Sequence, residues 1–456
     1  MKDAIIQKTK ELVKIKSIKT EPYINAPFGL GIRQALDYTL KLCDDLGFIT
    51  KDVEGYAGHA EYGEGKEIIG ILVHLDVVPE GTGWTYDPYE ATIVDGKMYG
   101  RGVNDDKGAA IASIYALKAI KDMGIKMNKR IRIIFGCDEE SGWECMNYYF
   151  QHEEMPSCGF SPDGPFPIVN REKGILRVDI IKEFKPTTDK NIKIISLVGG
   201  ERPNMVPDYC ESLLDIKNEP IEGIISLINR SINILGGEIE VEEEGRFLKI
   251  KSFGKSAHGS EPSYGDNAIS QLIILLNEIP NLSDEQASYI DFLTNRIGRE
   301  LDGKSLGIGF CDDESGELSL NLGMISITEE KASTTLDIRY PVTIKGGDIA
   351  DIIRTKATNK NIGIRIGEDK APLYVPADNP LIPKLSKAYE TVLGMKPELI
   401  SLKGGTYARA IKNAVAFGPI LPNKIDTAHQ KDEYLEVEDL IISAKIYAQA
   451  IYELNK

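Results

Sequence analysis

The stretch IIGILV, residues 68–73, is short, wholly apolar and followed by a polar turn, which is the pattern of a buried β-strand. A second buried strand, RIRIIFGC, is predicted at residues 130–137. Between them, residues 107–123 repeat apolar side chains at the helical spacing and stop at Gly124. A strand, a helix and a second buried strand in this order predict an α/β fold with a mostly parallel, helix-covered sheet.

The middle of the chain has a different pattern. Alternating apolar and polar residues predict strands within 239–252 and 332–340, and helices are predicted near 223–235, 267–277 and 284–299. This mixture favours a separate α+β domain of two lobes, inserted into the first domain. We place the first domain at residues 1–176 and 377–456 and the insert at residues 177–376.

The charge of the chain excludes some partners. Among its 456 residues, 70 are acidic and 54 are basic, for a formal net charge of −16. Such a surface repels nucleic acid and anionic lipid.

The six cysteines contain no CxxC pair, which argues against a disulfide framework and a thiolate zinc site. The charged amino terminus lacks the apolar core of a signal peptide, and no run is long enough to span a membrane. We therefore expect a cytoplasmic protein without nucleic-acid or membrane partners.

His74, Leu75 and Asp76 follow directly on the first predicted strand. Sites in open α/β sheets gather at the carboxyl ends of the strands, so His74 lies where ligands bind. Because alternate residues of a strand face the same side, the Asp76 carboxylate is predicted to hydrogen-bond the His74 ring. Taken alone, this pair fits either a metal site or a structural histidine at a strand end whose ring nitrogens have hydrogen-bond partners.

Acidic clusters lie next to other predicted element ends. Asp105 belongs to GRGVNDDKG, just before the predicted helix, where acidic residues also serve as helix caps. Glu139 and Glu140 belong to DEESG, directly after the second predicted strand, where acids also form solvated turns. This second cluster falls at the same sheet edge as His74, which a surface turn need not do.

These sequences contain enough ligands for a dinuclear metal site once Asp163, in SPDG, and His429, in AHQ, are added. Two metal ions about 3.5–4 Å apart need a bridging carboxylate, terminal ligands for each ion and a free carboxylate as base. Imidazoles with carboxylates and no thiolate suit Zn²⁺, Mn²⁺ or Co²⁺. The residues that meet this count are His74, Asp105, Glu139, Glu140, Asp163 and His429.

The chain resembles a known family in five segments: VHLDVVPEGTGWTYDP (73–88), YGRGVNDDKGA (99–109), DEESG (138–142), SPDGPFP (161–167) and AHQKDE (428–433). They are similar to those of the dinuclear metallopeptidases that include aminoacylase, carnosinase and the PepV-type dipeptidases. The PepV-type branch is the most similar. This resemblance implies that the first domain is catalytic, that the insert is a lid, and that two divalent ions bind, which are Zn²⁺, Mn²⁺ or Co²⁺.

The resemblance also implies a role for each candidate residue. Glu139 would be the general base, Asp76 the partner of His74, and the peptide between Asp105 and Asp106 would be cis. The implied metal ligands are Asp105 as the bridge, His74 and Asp163 on one ion, and Glu140 and His429 on the other.

Further residues are implied to act on the substrate. His258, flanked by small residues in GKSAHGS, would donate to the developing oxyanion. Asn204 and Arg339 match positions that contact substrate, although Arg339 also fits a structural ion pair. The loop GGTYAR at residues 404–409 resembles one that grips a substrate carboxylate, with roles implied for Gly405, Thr406 and Arg409.

The expected activity is hydrolysis of dipeptides. One alternative is an amidohydrolase of the same fold that acts on N-acyl amino acids or tripeptides. Another, from a different class, is a non-catalytic binding protein that kept the fold. Dimeric relatives have one small lid lobe and take a histidine from the partner, whereas an insert of about 200 residues accommodates two lobes. We therefore expect a monomer.

Overall fold

The computed structural model describes residues 1–185, 191–217, 219–235, 237–358 and 360–456. The chain divides into two compact units: Met1–Arg171 together with Tyr374–Lys456, and Glu172–Leu373. A boundary after residue 176, where the sequence analysis places it, falls inside the strand Gly174–Glu183.

The helices are, in chain order, α1 (Lys2–Val13), α2 (Leu30–Asp45), α3 (Lys107–Asp122), α4 (Glu144–His152), α5 (Ile221–Leu235), α6 (Ala268–Asn277), α7 (Asp284–Arg296), α8 (Gly346–Thr358), α9 (Leu381–Leu393) and α10 (Val437–Asn455). Short 3₁₀ helices span Pro262–Tyr264 and Tyr407–Ala410. The strands are β1 (Ile49–Val53), β2 (Ala57–Tyr62), β3 (Ile68–His74), β4 (Thr92–Val94), β5 (Lys97–Tyr99), β6 (Arg130–Gly136), β7 (Cys158–Ser161), β8 (Gly164–Pro165), β9 (Ile168–Glu172), β10 (Gly174–Glu183), β11 (Lys193–Gly199), β12 (Tyr209–Asp215), β13 (Glu238–Glu244), β14 (Phe247–Phe253), β15 (Cys311–Asp312), β16 (Gly316–Glu317), β17 (Ser319–Thr328), β18 (Lys331–Tyr340), β19 (Gly363–Lys370), β20 (Leu373–Tyr374), β21 (Leu399–Leu402), β22 (Ala414–Ala416), β23 (Pro419–Ile420) and β24 (Tyr434–Glu436).

The first unit is built on a sheet with the strand order β1-β2-β6-β3-β7-β22-β9-β20, to which β21 adds by pairing with β9. The central strands β6, β3, β7 and β22 are parallel, and β1 and β2 are antiparallel additions. Every residue of β3 is buried, as its continuous apolar sequence predicts. The predicted α/β fold with a mostly parallel sheet is confirmed, and the carboxyl ends of β3, β6 and β7 lie at one edge.

Helix α3 covers this sheet. Ala110, Ile114 and Leu117, which carry the predicted apolar spacing, have no exposed surface. The burial extends around the helix because α3 packs against α10 and α1 as well as β3 and β6. Gly124 follows the end of the helix with a φ of +63°, a conformation that glycine adopts without steric cost.

The second unit is built on an eight-stranded antiparallel sheet with the order β13-β14-β12-β11-β17-β18-β10-β19. The strands β13, β14, β12 and β11 form one half of this sheet, and β17, β18, β10 and β19 form the other, with β11 paired to β17 between them. Both halves contribute to one apolar core beneath the helices α5 to α8. The predicted extended segment 239–252 is a hairpin of β13 and β14, because Gly245 turns the chain with a φ of +62°. Within the described residues, no helix has the length and apolar character needed to cross a membrane.

His59 predicts an acid-sensitive component of stability in the first unit. The residue is buried on β2, with Nδ1 2.8 Å from the Tyr149 hydroxyl. Burial, reinforced by the charge of Arg132, lowers the pKa of His59 to about 4. The unfolded chain keeps the ordinary histidine pKa of about 6.5 and therefore takes up the proton first as the pH falls. The free energy of unfolding should thus decrease between about pH 6.5 and 4, by up to ~3 kcal/mol from this residue.

Urea unfolding of the wild type and of His59→Gln at a series of pH values measures this contribution. The variant should lose less stability than the wild type over the same interval. Parallel pH profiles for the two proteins would contradict the assignment.

Candidate functional site

His74 is the last residue of β3, at the edge where the parallel strands end. Its Nδ1–H donates to the main-chain carbonyl of Asp76 over 2.9 Å, while the Asp76 carboxylate lies 3.6 Å away. A carbonyl only accepts hydrogen bonds, so this contact places a proton on Nδ1 and turns Nε2 towards the site. There, Nε2 lies 2.8 Å from Oδ1 of Asp105.

Asp76 therefore differs from the predicted contact. Its carboxylate accepts the backbone N–H groups of Glu139 and Glu140, both over 3.1 Å. The chain has left the strand by this residue, so the alternation that predicted a side-chain contact with His74 no longer applies. In this position Asp76 joins the end of β3 to the acidic turn that follows β6.

Asp105 lies between two histidines. Its Oδ1 faces His74, and its Oδ2 lies 3.0 Å from Nε2 of His429. The same His429 nitrogen is 3.0 Å from Oε1 of Glu140. Among the described residues, one ligand atom from each of His74, Asp105 and Glu140 lies within 4.8 Å of the other two. The structure thus brings together four of the predicted ligands.

The remaining predicted acids, Glu139 and Asp163, lie in the same electrostatic environment. Burial, together with the nearby carboxylates, raises the pKa of Glu139 to about 8. Burial and the charge of Asp105 raise the pKa of Asp163 well above its ordinary value. Burial and the same charge also raise the pKa of Glu140. So many carboxylates in one buried place repel one another unless cations or protons compensate them.

Both histidines respond to these carboxylates. Burial alone would lower the pKa of His74, but its contacts with Asp105 and Asp76 raise it well above 6.5. The pKa of His429 is raised to about 11 against the effect of burial, by Asp105 and Glu140. The contacts with the two histidines in turn lower the pKa of Asp105, although burial opposes this. The cluster therefore attracts positive charge, and its two imidazoles and carboxylates are the donors that Zn²⁺ and Mn²⁺ accept.

The peptide bond between Asp105 and Asp106 is cis, as the resemblance implies. Asp106 itself was not singled out from the sequence as a site residue. Its Oδ2 accepts the backbone N–H of His74 over 3.2 Å, so it fixes the end of β3 from below the site.

Two other supporting residues were missed in the sequence. Asp138 is fully buried, and its carboxylate accepts Lys19 Nζ over 2.6 Å and the N–H of Glu144 over 3.1 Å. Tyr407 is also buried, with its ring edge-on to His74 at a centroid distance of 6.1 Å. The acidic triplet containing Asp138 was a usable signal, whereas nothing local to Tyr407 indicates that it lies behind His74.

The loop of residues 404–409, predicted to bind a substrate carboxylate, forms hydrogen bonds within itself. Arg409 Nη2 donates to the carbonyl of Gly404 over 3.0 Å. Thr406 Oγ1 accepts the N–H of Ala408 over 3.2 Å and so caps the 3₁₀ helix. Gly405 approaches the Arg409 side chain so closely that an added Cβ would lie 2.9 Å from Nε. The role of this loop in binding a substrate carboxylate stays a prediction.

His258 and Asn204 are neighbours in the second unit. The N–H of Gly259 donates to the carbonyl of Asn204 over 2.8 Å. The N–H of Ser260 lies 3.2 Å from Nδ1 of His258 and the Ser260 hydroxyl lies 2.6 Å from it; with both as donors, Nδ1 is an acceptor and the ring proton is on Nε2. Asn321 Nδ2 donates to the carbonyls of Pro203 and Met205, which flank Asn204, over 2.9 and 2.8 Å.

Arg339 forms a structural ion pair, which its sequence context also fits. It is 4% exposed, and its Nε donates to Oδ2 of the buried Asp337 over 3.0 Å. It also lies opposite Ser319 in the pairing of β17 with β18, and Ser319 Oγ donates to the carbonyl of Ser260 over 3.1 Å. Arg339 is thereby joined to the loop that carries His258.

Residues 70–453 match the model of the peptidase family M20/M25/M40. The chain belongs to this family. It is thus a hydrolase of the metallopeptidase class, and the site described above lies within the matched residues.

Curated relatives of this peptidase align along its whole length. The Bacillus subtilis (strain 168) protein named "Putative dipeptidase YtjP" is 42% identical, over 100% of this chain and 98% of its own. Two solved structures share the fold, the dipeptidase Dug1p from Saccharomyces cerevisiae and human carnosine dipeptidase 1. Their TM-scores are 0.59 and 0.56 at 15% and 17% identity, covering 100% of this chain and 96% of each structure.

The carboxylate cluster predicts that divalent cations stabilise this peptidase. An ion that binds only the folded chain adds about 2.7 kcal/mol at a hundred times its dissociation constant. Zn²⁺ or Mn²⁺ should therefore raise the melting temperature of the chelator-treated protein, measured by calorimetry. Asp105→Asn should lose most of this increase, whereas Asp45→Asn, at the exposed end of α2, should retain it. An equal increase in the two variants would place the stabilising ion elsewhere.

Proposed function

We propose that this metallopeptidase hydrolyses dipeptides with the help of two divalent metal ions, Zn²⁺, Mn²⁺ or Co²⁺. One observation carries the proposal: the Asp105 carboxylate directs one oxygen to His74 and the other to His429. A carboxylate in that position suits a bridge between two ions. The dipeptidase names of the full-length relatives support the choice of substrate.

The proposed ligand set is the one that the family resemblance implies. Asp105 would serve both ions, His74 and Asp163 the first, and Glu140 and His429 the second. When bound, the two ions lower the pKa of a water molecule towards about 7 and polarise the scissile carbonyl.

Glu139 is the proposed general base. It is positioned by its backbone N–H, which donates to Asp76, and its pKa is raised by burial. Its carboxylate takes a proton from the attacking water while the water oxygen bonds to the carbonyl carbon. The same carboxyl group then gives that proton to the amide nitrogen as the carbon–nitrogen bond breaks.

The remaining roles concern the substrate. We propose that His258 donates its Nε2 proton to the oxyanion, in keeping with the acceptor state of its Nδ1. Asn204 and Arg339 are proposed to contact the dipeptide, with the Asp337 ion pair fixing the Arg339 side chain. Gly405, Thr406 and Arg409 are proposed to hold its terminal carboxylate.

The physiological setting is proposed from the sequence. We propose a monomer acting in the cytoplasm, without nucleic-acid or membrane partners, on the basis of the net charge of −16 and the size of the insert. Membership of a peptidase family argues against the non-catalytic binding alternative. Activity on a panel of dipeptides, tripeptides and N-acetyl amino acids distinguishes the dipeptidase from the other amidohydrolases of this fold.

Replacing Glu139 by Gln tests the base. Turnover of a dipeptide should fall by about 10²–10⁴-fold, because the proton acceptor is lost. Metal content, measured by mass spectrometry, should stay near that of the wild type because Glu139 is not a proposed ligand. Glu144→Gln, an exposed position at the start of α4, is the matched control and should keep full activity. An active Glu139→Gln would make the assignment of the base wrong.

Replacing His258 by Ala tests the oxyanion donor and the monomer together. The variant should lose about 10²–10³-fold in kcat, the usual effect of removing such a donor. Mixing it with the inactive Glu139→Gln should restore no activity if each chain uses its own His258. Recovery of activity in the mixture would instead indicate that subunits share a site.

A further inference from the structure

Glu433 is a buried acid that the proposed reaction does not use. It has no exposed surface and lies four residues after His429, within the quoted segment AHQKDE. Its Oε2 accepts Arg101 Nη1 over 2.7 Å, and Arg101 is itself only 2% exposed. A buried acid of this kind remains charged only with enough donors around it.

The other carboxylate oxygen of Glu433 supplies the connection to the site. Oε1 accepts three backbone N–H groups, from Gly102 and Asn104 over 3.0 Å each and from Asp105 over 3.2 Å. The main-chain carbonyl of Glu433 accepts the N–H of Gly100 over 2.9 Å. One residue thus binds the loop of residues 100–105 along its whole length, up to the proposed bridging ligand.

The same residue ends the loop that carries the second histidine. His429 has a φ of +63°. A second hydrogen bond joins its segment to the Asp105 loop, in which Asp426 Oδ1 accepts Asn104 Nδ2 over 3.2 Å. The same oxygen accepts the N–H of Ala428 over 2.9 Å. The Asp105 loop and the His429 segment are more than three hundred residues apart in sequence. They are joined by two carboxylates, those of Asp426 and Glu433, which lie before and after His429 in the chain.

We infer that Glu433 is a positioning residue that sets the spacing of Asp105 and His429 and thereby the affinity of the peptidase for its metal ions. The inference rests on the proposed ligand roles of those two residues. Groups that hold ligands in place from behind typically change metal affinity or activity by about 10–100-fold when they are replaced.

The substitution Glu433→Gln tests the inference. The amide oxygen can accept either the three N–H groups or Arg101, but its NH₂ group then faces the remaining donors. We expect the dissociation constant for Mn²⁺, measured by calorimetric titration of the metal-free full chain, to rise about 10–100-fold. At saturating Mn²⁺, kcat for a dipeptide should fall while KM changes by less than about threefold, because the proposed substrate contacts are elsewhere.

Glu61→Gln is the matched control. Glu61 accepts Arg132 Nε over 2.7 Å in a comparable ion pair of the same unit, away from the proposed ligands. This variant should lose thermal stability without any change in Mn²⁺ affinity. If Glu433→Gln does not fold, Glu433→Asp keeps the charge but is too short to reach both Arg101 and the loop, and it should show the same loss of affinity.

The outcomes separate the two levels of the proposal. Wild-type protein that neither binds Mn²⁺ nor hydrolyses dipeptides would overturn the proposed function and, with it, the inference. Wild-type protein that does both, beside a Glu433 variant with unchanged affinity and kcat, would overturn only the inference. An equal loss of affinity in Glu61→Gln would also overturn it, because the effect would then be general destabilisation.

Discussion

The contact of one carboxylate, Asp105, with two imidazoles is the interaction on which the site depends. Each of its oxygens faces a different histidine, His74 at 2.8 Å and His429 at 3.0 Å. Around it, burial and mutual repulsion raise the pKa values of Glu139, Glu140 and Asp163. Isolated buried carboxylates are unfavourable, so this arrangement calls for positive charge, which the proposed ions would supply.

The fold delivers these groups through the parallel sheet. His74 ends β3, the acidic turn follows β6, and Asp163 follows β7, so adjacent strand ends carry three parts of the site. Parallel strands place all their carboxyl ends at one edge, which is why such sheets bind ligands there. His429 comes from the distant carboxyl-terminal part of the chain, and hydrogen bonds join its segment to the Asp105 loop. The supporting acids Asp76, Asp426 and Glu433 serve these connections.

Much of the first unit could be predicted because its signals are local. Residues 68–73 and 130–137 were predicted as strands, and the structure differs from these bounds by one residue at the end of each. The continuous apolar sequence of residues 68–73 requires burial on both faces, which only a covered sheet provides. The site residues could be selected because polar motifs follow these strands directly.

The parts that could not be predicted depend on distant contacts. The Asp76 carboxylate lies 3.6 Å from the His74 ring, but its hydrogen bonds are to N–H groups more than sixty residues along the chain, which no local pattern indicates. The partners of Glu433 lie more than three hundred residues before it, so no local pattern indicates them. The prediction for residues 239–252 does not divide them at Gly245, although the polar run EEEGR at 242–246 interrupts the alternation there.

A crystal structure of the Mn²⁺- or Zn²⁺-loaded protein, with anomalous scattering measured at the metal edge, tests the central claim most directly. The account predicts two anomalous peaks per chain, about 3.5–4 Å apart, with the Asp105 carboxylate between them. A single peak, or peaks that do not contact Asp105, at full metal loading would contradict it.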